Sequence, residues 1–217
     1  MIYRRGALIL LVNLAVAAPG AAVEPATAAT AETAATPARN PRWAQPLSLK
    51  GVPNFYKVSK DFYRAAQIDA AGIDGLSKPP YEIKTVISLR GWHDDLKMLP
   101  KGSFAAHGVR YERIEMKWGG LHPEKEDVVR FLKLVATAPK PILVHCLHGA
   151  DRTGFMTAVY RIAVEGWTVE EAMDELRHGH YGANKIIAGL SGQYLKYLNS
   201  NEFQEIKREA ALNGSKT

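Results

Sequence analysis

The chain has 217 residues, a formal net charge of +6, 47% hydrophobic residues and one cysteine. That length suits one packed domain with extensions, and the composition is globular rather than disordered or collagen-like. A lone thiol excludes an internal disulfide and a thiolate zinc cluster. The mild positive charge, without a basic helix face, a finger spacing or an aromatic stacking platform, suits an anionic ligand and does not argue for nucleic acid.

Residues 1–22 read as a signal peptide. Arg4 and Arg5 form a charged start, Ala7 to Ala18 an apolar run broken only by Asn13, and Gly20-Ala21-Ala22 a small-residue cleavage region. The pattern implies a periplasmic or secreted bacterial protein. The apolar run is too short to span a bilayer comfortably, so no stable membrane insertion is expected after cleavage; a retained anchor is the alternative. Removing the segment takes away two arginines and no acid, which lowers the net charge from +6 to +4. Residues 23–46 are rich in Ala, Thr and Pro and carry too few large apolar groups to order themselves. They are read as a flexible linker outside the fold, with Trp43 able to dock on the domain. The folded domain is expected over 47–205 and a tail over 206–217.

Within the domain, Phe55 to Val58 and Phe62 to Arg64 read as short strands around a Lys60-Asp61 turn. Asp69 is placed to cap a helix running to about Leu76, ended by Lys78-Pro79-Pro80. The β-branched run Thr85 to Arg90 reads as a buried strand. Arg90 is read as a structural ion-pair partner, and His93-Asp94-Asp95 as a loop or helix cap, since no further ligand is spaced to complete a metal site. Val109 to Met116 reads as a strand and Lys117 to His122 as a loop. Pro123 then opens a helix to about Ala136, with Val128, Phe131, Leu132 and Val135 on its apolar face. Further on, Thr168 and Glu171 form a capping box for a helix to about His178. Gly179 to Gly182 is a turn, and a last helix is expected from about Lys185 towards Phe203. Strands alternating with helices imply an α/β fold with a central, largely parallel sheet flanked by helices.

The chemistry concentrates in His145-Cys146-Leu147-His148-Gly149-Ala150-Asp151-Arg152-Thr153-Gly154. The apolar run Pro141 to Val144 precedes it and a helix from about Thr153 follows, giving strand, tight loop and helix. Backbone N–H groups from Leu147 to Arg152 can turn inward around an oxyanion, and the helix N-terminus adds its positive end. Arg152 can grip two oxygens at once. The same dipoles and charge favour Cys146 as a thiolate nucleophile. Gly149 lets the backbone turn without a side chain in the way. Such a loop belongs at the C-terminal end of a sheet strand.

This stretch, Cys-x5-Arg with a preceding His and a following Thr-Gly, resembles the signature of the Cys-dependent protein tyrosine phosphatases, closest to their small dual-specificity-like bacterial branch. The likeness runs from about Asn54 to Leu198 and includes Phe62 to Gln67 and the Leu89-Arg90 strand end. It implies the tyrosine-phosphatase fold and an exported phosphatase for a phosphorylated protein or peptide, with neither metal nor cofactor. Cys146 would form a phosphocysteine while Arg152 and the loop from Leu147 to Asp151 bind the phosphoryl oxygens. Thr153 would hydrogen-bond the sulfur, and His145 would support the loop from behind.

One expected part is missing. The family places a general-acid Asp on the loop that here reads Lys117-Trp118-Gly119-Gly120-Leu121-His122, with no Asp. Glu124 is the chosen substitute; Glu115, His122, Glu126, Asp127 and Asp151 remain alternatives, and Glu124 could equally be a first-turn helix charge. Trp118 and Tyr181 are candidates for the rim. A loop holding His148 and Asp151 but no cluster of Lys or Arg favours phosphoprotein over inositol polyphosphates. The competing readings are an inositol-phosphate or phosphoinositide phosphatase and a catalytically silent phosphate-binding module. A rhodanese-type sulfur transferase fits Arg152-Thr153 and His145 less well.

Overall fold

The parallel strands expected from the apolar runs form four adjacent strands of a six-stranded sheet, out to one edge. A computed structural model of the chain describes residues 39–116, 124–182 and 185–214, all within one unit, Ala38–Thr217. The expected signal peptide and the first part of the linker lie outside these residues. The strands are β1 (Gln45–Pro46), β2 (Tyr56–Lys57), β3 (Phe62–Ala65), β4 (Thr85–Ser88), β5 (Arg110–Arg113) and β6 (Ile142–His145), in the order β1-β2-β3-β6-β4-β5. β3, β6, β4 and β5 run parallel, while β1 and β2 add antiparallel at one edge. β6 is central, paired with β3 on one side and β4 on the other. All four of its residues are buried, which is why it reads as an uninterrupted apolar run up to His145.

Side-chain alternation divides the two faces. Phe62, Ile87, Ile142 and Val144 face one core, shared with Phe131 and Val135 of α4 (Lys125–Thr137) and Phe155 and Val159 of α5 (Asp151–Ala163). Tyr63, Val86 and Leu143 face the other, with Ile73 and Leu76 of α1 (Ala70–Leu76) and Phe104 of α3 (Ser103–Ala106). Asp69 caps α1 by accepting from Gly72 N at 2.8 Å. The capping box of Thr168 and Glu171 starts α6 (Val169–His178) as expected.

Several boundaries differ from the sequence reading. The strand expected over 109–116 shortens to β5; Ile114 N still donates to Ser88 O at 2.9 Å, and Ile114 and Met116 are buried in the core. Between β4 and β5 lie two one-turn helices, α2 (Asp95–Met98) and α3, too short to show a periodicity. The single last helix is two, α7 (Lys185–Leu198) and α8 (Asn201–Gly214). Ser200 makes the break: its hydroxyl accepts from Phe203 N at 3.2 Å, a start signal for α8. α8 runs on through most of the segment read as a tail, and Ile206 is buried on it.

Residues 39–46, read as the end of a flexible linker, pack on the domain. Ala44 is fully buried and its N–H donates to Glu175 Oε1 at 2.6 Å. Arg39 donates to Ala44 O, to Gly179 O at 2.8 Å and to Tyr181 Oη at 3.0 Å. Trp43, read as able to dock, is half-buried with Arg39 5.8 Å from its ring centroid; the other contacts left no sign, because Glu175, Gly179 and Tyr181 lie more than a hundred positions away.

Candidate active site

β6 ends at His145 and α5 begins at Asp151, so Cys146 to Ala150 form the loop between them. Its geometry is set from behind. Five successive carbonyl groups are engaged, the middle three by residues from elsewhere in the domain. Cys146 O lies 3.2 Å from His145 Nδ1. Leu147 O accepts from Gln67 N at 3.1 Å. His148 O accepts from Asn54 Nδ2 at 2.8 Å, and Gly149 O from Arg64 Nη2 at 2.6 Å. Ala150 O accepts from Gly154 N at 2.9 Å, the first turn of α5. Among the described residues no N–H from Leu147 to Ala150 donates to a backbone carbonyl. With those oxygens engaged, the N–H groups are left available to an anion at the start of a helix.

Gly149 is required at its position. Its φ is +69°, and a Cβ there would meet Ala65 O at 2.6 Å and Ala66 N at 2.7 Å. Both are backbone atoms, so β3 and the loop can approach this closely only through a glycine.

Cys146 is buried at the base of the loop, with 2% of its surface exposed. Arg152 closes the loop; its Nη1 donates to Leu89 O at 3.2 Å, and its buried Nε has no hydrogen-bond partner among the described residues. An unspent guanidinium donor at this point can serve a phosphoryl oxygen. Thr153 Oγ1 is also buried without a partner, so the bond to sulfur implied by the resemblance is not formed here. Leu147 and His148 are exposed, and Asp151 accepts a short hydrogen bond from Tyr194 of α7.

A buried polar network underlies the loop. Arg64 is 1% exposed, and its guanidinium lies 3.7 Å from the centroid of Tyr181. Burial lowers its pKa from the ordinary value, while the facing Tyr181, Glu175 and Cys146 act in the opposite direction. Tyr181 is fully buried and donates to Glu175 Oε1 at 2.7 Å. It is therefore a support under the loop, the core placement that competes with the rim for such a side chain; the Arg64 face and the Glu175 acceptor draw it inward. Glu175 in turn accepts from Arg161 Nε at 2.7 Å and Nη2 at 3.0 Å. Burial would raise the Glu175 pKa, but Arg161, Ala44 N and the Tyr181 hydroxyl outweigh it and hold the carboxyl below its usual range.

Arg90 behaves as the structural partner expected. It is 4% exposed, donates to Gln67 Oε1 at 2.5 Å and lies 3.8 Å from Asp95 Oδ1. Asp94 caps α2 through Leu96 N, as read for this loop. Its neighbour Asp95 is fully buried beside His145, a pairing the sequence did not suggest.

Glu124 is the exposed N-cap residue of α4, and its side chain makes no capping bond. It borders a cleft of about 590 Å³ together with Tyr111, Arg113, Glu115, Asp127 and Arg130. No residue of the Cys146 loop lines that cleft. Asp127 has its pKa raised, by burial first and then by the charge of Glu124. The loop carrying Trp118 and His122 lies outside the described residues. Arg64, Asn54, Gln67 and Asp95 are site residues that the sequence reading missed. Only Arg64 left a signal, a charge in the centre of the otherwise apolar Phe62-Tyr63-Arg64-Ala65.

Residues 50–188 match the family model described as DSP-PTPase phosphatase fused to NAD+ kinase. The dual specificity protein phosphatase TpbA of Pseudomonas aeruginosa PAO1 is 35% identical over 159 residues, covering 70% of this chain and 64% of TpbA. The chain thus spans somewhat less than two thirds of that relative's length. The crystal structure of P. aeruginosa TpbA aligns with a TM-score of 0.66 at 27% identity, covering 80% of this chain and 99% of that chain. The catalytic core of the PP-IP phosphatase Siw14 from S. cerevisiae shares the fold at a TM-score of 0.60 and 21% identity, over 76% of this chain and 96% of that one. The family match spans the strand, the Cys146 loop and the helix that follows, and on that ground the chain belongs to the Cys-dependent protein tyrosine phosphatase superfamily, in its bacterial dual-specificity-like branch.

Proposed function

We propose that the protein is a phosphatase of the tyrosine or dual-specificity type, hydrolysing phosphotyrosine monoesters, with phosphoserine and phosphothreonine as further substrates. The observation that carries this reading is the loop whose carbonyls from Cys146 to Ala150 are all engaged, three of them by Gln67, Asn54 and Arg64 from elsewhere in the domain, with Cys146 at its base and Arg152 at its close. A Cys→Ser variant of P. aeruginosa TpbA was solved in complex with phosphotyrosine, which supports the same ligand class here.

In the first step Cys146 Sγ attacks phosphorus in line. The S–P bond forms as the bond to the leaving oxygen breaks, and that oxygen takes a proton from a general acid. Arg152 and the N–H groups of the loop hold the three remaining oxygens throughout. In the second step water attacks phosphorus and the S–P bond breaks. The water's proton returns to the acid, and the Thr153 hydroxyl, unspent in the resting structure, stabilises the departing thiolate. The candidates for that acid are Glu124 at the N-cap of α4 and Asp127 in its first turn, which line a cleft that no residue of the Cys146 loop borders. Glu124 is exposed there, and Asp127, with its raised pKa, keeps its proton to higher pH than an ordinary aspartate.

The test is phosphate release from phosphotyrosine and phosphoserine peptides, an aryl phosphate with a good leaving group and an inositol polyphosphate, with Cys146→Ser as control. Turnover of the phosphotyrosine peptide, abolished in the control, is expected. A faster rate on the inositol polyphosphate would instead make this an inositol-phosphate phosphatase, and tight phosphopeptide retention without release would make it a binding module. The pH–rate profiles of Glu124→Gln and Asp127→Asn assign the acid: the basic limb disappears in the variant that lacks it. Export through residues 1–22 is a further part of the proposal. The amino-terminal sequence of the protein recovered from an expressing bacterium checks it, and a chain still beginning at Met1 in the cytoplasm would count against it.

A further inference from the structure

Residues 39–46 precede the stretch 50–188 that matches the family model. They are nevertheless fastened to the turn that supports the Cys146 loop. All three guanidinium nitrogens of Arg39 have partners. Nε and Nη2 donate to Ala44 O at 3.0 and 2.6 Å, Nη1 donates to Gly179 O at 2.8 Å, and Nη2 also donates to Tyr181 Oη at 3.0 Å. The same group lies 5.3 Å from the ring centroids of both Tyr56 and Tyr181. Ala44 N donates to Glu175 Oε1, the oxygen that also accepts from the Tyr181 hydroxyl. Arg42 fixes the segment at a different place: its Nη1 donates to Glu171 Oε1 at 2.6 Å, and its guanidinium lies 4.6 Å from the Trp167 ring centroid. Those contacts are at the start of α6, whereas the contacts of Arg39 are at the turn 179–182 beyond its end.

Two routes lead from that turn to the loop. The Tyr181 ring packs on the Arg64 guanidinium at 3.7 Å, and Arg64 Nη2 holds Gly149 O at 2.6 Å. Asn54 Nδ2 bridges Tyr181 O at 2.9 Å and His148 O at 2.8 Å. The two carbonyls reached in this way are consecutive. The turn itself needs an outside hold. His180 has a φ of +57°, which is unfavourable for a residue with a Cβ and persists only where the surroundings impose it. Tyr56 Oη donates to His180 O at 3.3 Å, and Arg39 fastens the residues on either side, Gly179 and Tyr181.

We infer that Arg39 is a positioning residue for the Cys146 loop: from the segment before the domain it fastens Gly179 and Tyr181, and so holds Arg64 and Asn54 against the carbonyls of Gly149 and His148. Arg39 touches neither substrate nor reacting atoms. Coupling between two sites is reciprocal, so the docked segment and an anion bound in the loop stabilise each other. The inference rests on the reading of the loop as a phosphate nest, which the binding of tungstate to the wild type tests separately.

The first measurement is calorimetric titration of the full chain with tungstate. In Arg39→Ala the affinity of the folded protein should fall by about five- to tenfold, a coupling of ordinary size between two sites. A merely structural role would lower the Tm and leave that affinity unchanged. Arg42→Ala is the control: it removes an arginine from the same segment but none of the contacts to the turn, and it should keep the wild-type affinity. The second measurement needs no variant to fold. Ala44 N–H is buried and bound to Glu175, so it exchanges with solvent when the segment lifts. Saturating tungstate should slow that exchange in the wild type. A folded Arg39→Ala protein that binds tungstate as the wild type does overturns the inference, as does an Arg42→Ala protein that loses as much affinity, or Ala44 exchange indifferent to tungstate. A wild type that binds no tungstate is a separate failure, which removes the phosphate nest and the inference with it.

Discussion

Replacing Gly149 by alanine tests whether the loop's shape depends on its close approach to β3. The added Cβ would sit 2.6 Å from Ala65 O and 2.7 Å from Ala66 N, at a φ of +69°. Left-handed backbone costs an alanine about 1–2 kcal/mol, and forcing an extra carbon into a packed site costs about 1–3 kcal/mol more. Neither neighbour can rotate aside, since both are backbone atoms and Ala66 N is itself bound to Pro53 O at 2.8 Å. The loop must move instead, which stretches the 2.6 Å bond from Arg64 to Gly149 O. The expected destabilisation is roughly 2–5 kcal/mol, or a Tm lowered by roughly 5–20 °C for a domain of this size. Because the displaced peptide belongs to the anion nest, affinity for orthophosphate or tungstate should fall even where the protein stays folded. Thermal unfolding and calorimetric titration with tungstate measure the two effects separately. An alanine variant within about 1 kcal/mol of wild type, binding tungstate equally well, would refute the claim that this contact shapes the site.

Arg152→Lys keeps the charge but loses the planar fork, one arm of which is held by Leu89 O. The expected fall in kcat/KM is roughly 10²–10³-fold, read by steady-state kinetics on a phosphotyrosine peptide, and a change below tenfold would remove Arg152 from the phosphoryl clamp. Glu175→Gln removes one of the two carboxylates that hold buried Arg161, the other being Glu165 at 2.6 Å, and should cost roughly 1.5–3 kcal/mol at neutral pH in denaturant unfolding. The Glu175 pKa is depressed from the ordinary 4.5, so its contribution is complete above that value and is lost as pH falls through the lower folded-state value. The stability difference between wild type and Glu175→Gln should accordingly shrink on acidification below about pH 4.5; a difference constant down to pH 2 would contradict the assignment.

Much of the fold was readable along the chain because it depends on neighbours. Ile142 to Val144 and Thr85 to Leu89 announce buried strands by continuous apolar and β-branched residues, and both lie in the parallel block of the sheet. The spacing of Val128, Phe131, Leu132 and Val135 marks the buried face of α4, and all four are in the core. The α7–α8 break was missed because a single serine cap inside a helix-compatible run carries a weak signal.

The site divides in the same way. Cys146, Gly149 and Arg152 lie within one strand–loop–helix unit, so their types and spacing already point to the proposed anion nest with Cys146 as its nucleophile. The residues that hold the unit in shape come from elsewhere: Asn54, Arg64, Gln67 and Asp95 reach the loop or His145 from positions 50 to 94 residues earlier. Their partners depend on the sheet order, which sets β6 between β3 and β4 and so brings Arg64 under Gly149 and Asp95 against His145. Tyr181 makes the same point, since a turn residue by local pattern becomes a buried support once Arg64 and Glu175 lie around it. Hydrophobic periodicity and loop chemistry are local properties and are written in the sequence. The pairing of buried polar groups is a property of which strands become neighbours, and only the assembled sheet decides it.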